Sequence, residues 1–206
     1  MAKSVPDFLE YLWMQLSDCF GSIWTPFTRK LQCLKCEWVS YKESRDMLLK
    51  IYIPPGTGKR ISLKDLLQYN FITTHSEPSL CGNCTTNTCQ KSVWEQIPDL
   101  VCLEIIRVTE RLIGSQQRKW SKNCVPISFP TSGIRLPGSR SIFRVIATCD
   151  HKGTVSGGHW VTRTCCKSDT WYETNDLKRR NTIVGAPGIN DTSVVLLLLI
   201  AEHLLM

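Results

Sequence analysis

A histidine preceded by two glycines, in Gly157-Gly158-His159-Trp160-Val161, stands a short polar stretch ahead of Trp171-Tyr172-Glu173-Thr174-Asn175-Asp176. These residue types suit proton transfer. An imidazole takes a proton from a nucleophile and returns it to a leaving group, provided a third polar group holds its tautomer. Asn175 or Asp176 supplies that group by accepting from the imidazole Nδ1–H, which leaves Nε2 as the base. Gly157 and Gly158 let a substrate approach the backbone closely. A lone histidine is more often structural, and His203 reads that way. The nucleophile is what the pattern lacks. Cys19, in Ser17-Asp18-Cys19-Phe20, is the only cysteine ahead of Cys33, and its context does not mark it as one.

Other cysteines point to a metal. Cys33-x-x-Cys36 and Cys81-x-x-Cys84 each present two thiolates from one turn. Two such knuckles brought together close a tetrahedral shell around Zn2+ and leave no position open for catalysis. The alternative is four buried thiols without metal. Cys89 and His75 lie near enough in sequence to enter the ligand set, although His75 reads as a surface-loop residue. The cysteine count of 11 is odd and includes these knuckles, which favours a reducing compartment over a disulfide framework.

The wider composition excludes several classes. At 206 residues and 42% apolar, the chain buries an ordinary core and reads as one domain or at most two. Met1 to Asp7 contains no apolar signal-peptide region. Val194 to Ala201 is apolar but stops at Glu202 and His203, far short of the ~20 residues of a membrane span. The net charge of +7 comes from Lys and Arg scattered along the chain, with local clusters at Arg118-Lys119-Trp120-Ser121-Lys122 and Lys178-Arg179-Arg180. Without aromatics interleaved as a stacking platform, these clusters read as solvated loops rather than a nucleic-acid surface.

The elements that must position these residues are legible in part. Val5, Phe8, Leu9, Leu12, Trp13 and Leu16 form a helical stripe. Met47 to Ile53 reads as a strand ending at Pro54-Pro55-Gly56. A short helix starts at Ser62 as N-cap, with Asp65 near the capping-box position. Beyond Ile97, strands are expected at Leu100–Val108, Val125–Phe129, Ile142–Thr148, Trp160–Cys165 and Val194–Ile200. Helices followed by strands give an α+β fold with a mainly antiparallel sheet.

Taken together, the segments resemble the ubiquitin-specific protease (ubiquitin carboxyl-terminal hydrolase) family of cysteine deubiquitinases. Gly157 to Val161 is similar to its glycine-glycine-histidine-aromatic box, and Trp171 to Asp176 to its tryptophan then asparagine-aspartate box. Ile97 to Arg107 resembles its leucine-proline strand ending in arginine. Ile142 to Ala147 with His151-Lys152-Gly153 resembles the approach to its histidine, and Pro6-Asp7-Phe8-Leu9 its acidic-phenylalanine-leucine helix. The resemblance implies a papain-like cysteine protease hand, here a single incomplete domain over 1–206. The end of the thumb would occupy 1–26, zinc-bearing fingers 27–95 and an antiparallel β palm 96–206.

By the same resemblance, His159 is general base and acid, with Asn175 orienting it and Asp176 as the neighbouring candidate. Gly157, Gly158 and Trp160 line the channel for ubiquitin's C-terminal Gly-Gly. Cys33, Cys36, Cys81 and Cys84 hold structural Zn2+. The family's nucleophile box, asparagine-threonine-cysteine-tyrosine or similar, precedes the acidic-phenylalanine-leucine helix and has no counterpart in this sequence. Two functions follow as expectations: a deubiquitinase whose cysteine box lies outside the chain, or a non-catalytic ubiquitin-binding module. The expected partner is ubiquitin or a ubiquitinated protein, with neither membrane nor nucleic acid, in the cytoplasm or nucleus.

Overall fold

The computed structural model of the chain describes residues 27–44, 48–74, 79–88, 90–113, 117–166, 169–175, 182–188 and 191–205. The expected thumb segment 1–26 with its apolar stripe and Cys19, together with His75, Cys89, Asp176 and Lys178-Arg179-Arg180, lies outside the described residues.

A large sheet organises the rest, with β14 (Ile142–Gly153) as its spine. On one side β14 pairs antiparallel with β15 (Gly158–Cys165), followed by β16 (Trp171–Thr174) and β17 (Thr182–Val184). On the other it pairs with β18 (Val194–Ala201), followed by β9 (Leu100–Ile106) and β3 (Leu48–Tyr52). The short β13 (Ile134–Arg135) also pairs with β14. The Val194–Ala201 run lacks alternation because β18 is covered on both faces. Leu197 and Leu199 enter the main core, and Leu196 enters a smaller cluster with Leu48 and Cys149. The β14/β18 register shifts twice, between Val145 and Ala147 and between Cys149 and Asp150, which re-aims the side chains there.

The large sheet is mainly antiparallel, as expected, but one parallel pair makes it mixed. β3 and β9 run parallel, with Ile51 opposite Ile105. A parallel pair needs a long crossover, and everything between Tyr52 and Leu100 provides it. That crossover begins with β4 (Ile61–Ser62) and α1 (Leu63–Phe71). The Ser62 hydroxyl accepts from the Asp65 N–H at 3.1 Å and donates to the Asp65 carboxylate at 2.6 Å, which starts the helix as the sequence predicts. Leu63, Leu66, Leu67 and Phe71 turn inward. Asn70 then bridges the N–H and C=O of Tyr52 at 2.7 and 2.8 Å, fastening the helix to β3.

A second, four-stranded sheet holds β1 (Phe27–Cys33), β2 (Val39–Ser44), β5 (Ile72–Thr74) and β8 (Gln90–Gln96) in the order β2-β1-β8-β5, all antiparallel. Its tip carries the small hairpin of β6 (Ser79–Leu80) and β7 (Asn87–Thr88). At its base Phe27 meets Trp94 edge-on, with ring centroids 5.3 Å apart, inside the same core as Leu103, Phe143 and Leu199. Full burial of each such side chain contributes ~1.5–3 kcal/mol. β10 (Val108–Ile113) and β11 (Gln117–Lys122) form a separate ribbon, and β12 (Ile127–Ser128) pairs in parallel with β4. A 3-10 turn, Glu202–Leu205, follows β18. The chain is thus mostly β, with one α-helix among the described residues, none of whose helices is long and apolar enough to cross a membrane.

Candidate active site and metal centre

His159 is the second residue of β15, and alternation sets it on the same face as Val161, Arg163 and Cys165. Thr162 pairs with Thr174, so Asn175 continues one step beyond the β15/β16 ladder, level with Val161. The two side chains meet there. The His159 Nε2–H donates to Asn175 Oδ1 at 2.8 Å, with both residues half-buried. The expected arrangement had Nδ1–H as the donor. The structure engages Nε2 instead, because Asn175 reaches the ring from the strand end, and proton exchange then falls to Nδ1.

The glycines ahead of His159 have separate reasons. Gly157 is exposed, and an added Cβ would meet nothing within 4 Å. At Gly158 a Cβ would fall 2.3 Å from His151 Nε2 and 2.6 Å from the Lys152 carbonyl oxygen. Gly158 is therefore required by the β14/β15 hairpin itself. Trp160 points to the face opposite His159, its ring 4.7 Å from that of His151 and packed against the Leu48, Cys149 and Leu196 cluster. Lys122 closes this side. Its ammonium donates to the carbonyls of His151 at 2.5 Å and Gly153 at 3.0 Å and lies 3.3 Å from His151 Nδ1. Burial and the neighbouring ammonium hold His151 below its usual range, so it is the neutral acceptor.

On the His159 face the sheet carries an ionic cluster that sequence reading does not reveal. Arg163 faces Asp150 of β14 at 3.2 Å, Asp191 at 3.4 Å and Glu173 of β16 at 3.9 Å. Asp150 is fully buried, and desolvation, aided by Asp191 and Glu173 and opposed by Arg163, pushes its carboxyl up to about 6. Burial also works to raise Asp191, but the N–H groups of Ser193 and Val194, the Ser193 hydroxyl and Arg163 bring it below its usual value. Arg107, buried at the end of β9, donates to the carbonyls of Val194, Asn123, Val125 and Asp191 at 2.7 to 3.1 Å. Only strand alternation hinted at Arg163, since Asp191 is remote in sequence and no spacing announces it.

The cysteines gather at the tip of the four-stranded sheet. Cys33, Cys36, Cys81 and Cys84 place all four Sγ atoms within 4.8 Å of one another. Cys33 to Cys84 is 4.0 Å and Cys36 to Cys81 is 3.7 Å. A tetrahedral shell with Zn–S near 2.3 Å has S···S edges of about 3.8 Å, so the group fits a metal ion. The two knuckles repeat one design. Lys35 N–H points at Cys33 Sγ and Asn83 N–H at Cys81 Sγ, each at 3.4 Å. Glu37 and Thr85, the residues after each knuckle, take positive φ of 58° and 54°. Trp38 of the first knuckle lies over Gly82 of the second, where a Cβ would sit 3.0 Å from the indole. The hydroxyl and N–H of Thr86 pull the Cys84 thiol down to about 6, favouring the thiolate that a metal binds.

No curated protein matches the chain. The family model for ubiquitin carboxyl-terminal hydrolase matches residues 16–197, a span that takes in both knuckles, Arg107, His159 and Asn175. That family has the papain-like cysteine protease fold and acts on ubiquitin and ubiquitinated substrates. With most of its length matched, this chain belongs to the ubiquitin carboxyl-terminal hydrolase family.

Proposed function

We propose that the chain forms the fingers and palm of a cysteine-type deubiquitinase domain, which hydrolyses the peptide or isopeptide bond after the C-terminal glycine of ubiquitin. The observation that carries this reading is the 2.8 Å contact between His159 Nε2 and Asn175 Oδ1 in a chain of this family. Asp176 is kept as the neighbouring acceptor.

In this reading the thiolate comes from a cysteine box outside these 206 residues. The two most buried palm thiols are unsuited to the role. Burial pushes Cys102 up to about 12 and Cys149 up to about 11, so neither is a thiolate at neutral pH. Asn175 commits the ring proton to Nε2, and Nδ1 takes the thiol proton. The thiolate adds to the carbonyl carbon, and the C–N bond breaks as the imidazolium returns its proton to the departing lysine amine. Water then attacks the thioester with the imidazole as base, which frees the ubiquitin carboxylate and restores the thiol. Gly157, with open space around it, gives the slender Gly-Gly tail room beside His159. Trp160 supports the hairpin from behind. The four knuckle thiolates hold structural Zn2+, a closed shell that takes no part in the chemistry. A reducing compartment, cytoplasm or nucleus, suits a site that needs four reduced thiols.

The test is hydrolysis of ubiquitin–rhodamine by a product extended upstream to include a cysteine box, with His159→Ala alongside. A loss of roughly 10³-fold or more in the variant is expected. Equal inertness of both would sink catalysis. Shifts in ubiquitin NMR signals at micromolar concentration from an inert chain would make it a ubiquitin-binding module instead.

A further inference from the structure

We propose that Lys122 is a positioning residue for His159: its ammonium continues the pairing of β14 where β18 has ended, and so fixes the hairpin that carries the imidazole. The inference rests on reading His159 as the catalytic base. β14 runs to Gly153, but its ladder with β18 ends at Asp150 opposite Val194, and one further bond joins the His151 N–H to the Ser193 carbonyl at 2.9 Å. Past that point β14 goes on beside β15, with His151 opposite Trp160, Lys152 opposite His159 and Gly153 opposite Gly158. Because the His151 N–H is turned toward the β18 side, the carbonyls of His151 and of Gly153, two residues on, face that side as well. The Lys122 ammonium meets both, at 2.5 and 3.0 Å.

Arg107 sets where that ammonium comes from. Its buried guanidinium donates to the carbonyls of Asp191 and Val194, where β18 begins, and to those of Asn123 and Val125, which follow Lys122. The Asn123 N–H returns to the Arg107 carbonyl at 2.6 Å, and Val108 pairs with Lys122 at the foot of the β10/β11 ribbon. One side chain thus holds both the start of β18 and the residue that takes over from it. A compact ammonium has three donors to distribute, and charge-assisted bonds to carbonyls are stronger than neutral ones. The third direction leads to His151 Nδ1 at 3.3 Å. The His151 ring packs on both neighbours of His159: its centroid is 4.7 Å from that of Trp160, and a Cβ at Gly158 would fall 2.3 Å from its Nε2. Lys122 therefore reaches the two residues that flank His159, through the one imidazole that touches them both.

The experiment uses the 206-residue chain and two NMR readouts. The Lys122 ammonium, identified by its absence in Lys122→Arg, should exchange its protons with water about tenfold more slowly than the exposed Lys50 and Lys119. In Lys122→Met, which keeps the apolar stem and removes the donors, the Thr154 and His159 amides exchange about tenfold faster and the His159 ring signals shift. The amides of Leu100–Ile106 and Leu196–Ala201 keep their protection. Lys122→Arg restores part of the hairpin's protection, which a steric role for the stem would not do. Unchanged hairpin exchange and ring signals in a folded Lys122→Met chain overturn the proposal. Should that variant not fold, the wild-type ammonium decides: slow exchange supports the proposal and exchange as fast as that of the exposed lysines overturns it. Neither readout needs turnover, so an inert extended chain would count against the enzymatic reading and leave the tether as measured.

Discussion

The cysteine tip and the histidine–asparagine pair are both polar sites held by β-structure, yet they are assembled by opposite means. Each half of the cysteine site is completed within a few residues of chain: two thiols, an N–H aimed at sulfur, and a positive φ after the knuckle. The sheet has only to bring two finished halves together. His159 and Asn175 each arrive alone, and their 2.8 Å contact exists only while β15 and β16 keep their register. A site built from local turns tolerates movement of its scaffold. A site built from register is no more accurate than the strand ends that carry it.

Removal of metal should separate the two regions most strongly. Structural zinc contributes apparent binding energies on the order of 10 kcal/mol to small cysteine folds. A strong chelator, or Cys36→Ser, is expected to abolish metal uptake and expose the amides of β1, β2 and β8 to exchange, while those of β14 and β18 stay protected. Simultaneous loss of both sets would break the distinction.

A smaller effect comes from the acids of the large sheet. Asp150 is raised to about 6 from 3.8, so the folded state holds this proton more tightly than the unfolded chain does. Its contribution is complete below the unfolded value and is lost as pH rises through about 6, a change on the order of 3 kcal/mol. Urea midpoints measured from acid to neutral pH should show wild type losing stability relative to Asp150→Asn over that window. Parallel pH profiles would mean that Arg163 fully offsets the buried charge.

The smallest expected change tests a local device that belongs to neither site. Ser62→Ala removes the cap of α1 and should cost about 1 kcal/mol by denaturation, with metal content unchanged.

The contrast also explains what could be read in advance. The knuckles and the Ser62 start were legible because their partners lie within three residues. The apolar β18 run was legible because its length and composition suffice for a buried strand. Starting β15 at Trp160 rather than Gly158 concealed that His159 is itself in the strand, and that its neighbour must face the other way. Arg163 could not be assigned, since its acids sit on β14, on β16 and at Asp191. The parallel pairing of β3 with β9 was hidden for the same reason: nothing in Leu48–Tyr52 records which strand it will join.

The position of β18 has a consequence for biosynthesis. It is the last strand of the described chain and lies between β14 and β9, so both wait with unpaired edges until Val194–Ala201 leaves the ribosome. The large sheet therefore closes only once Val194–Ala201 has emerged, and a nascent product halted before Val194 would offer two sticky borders to chaperones or to its own neighbours.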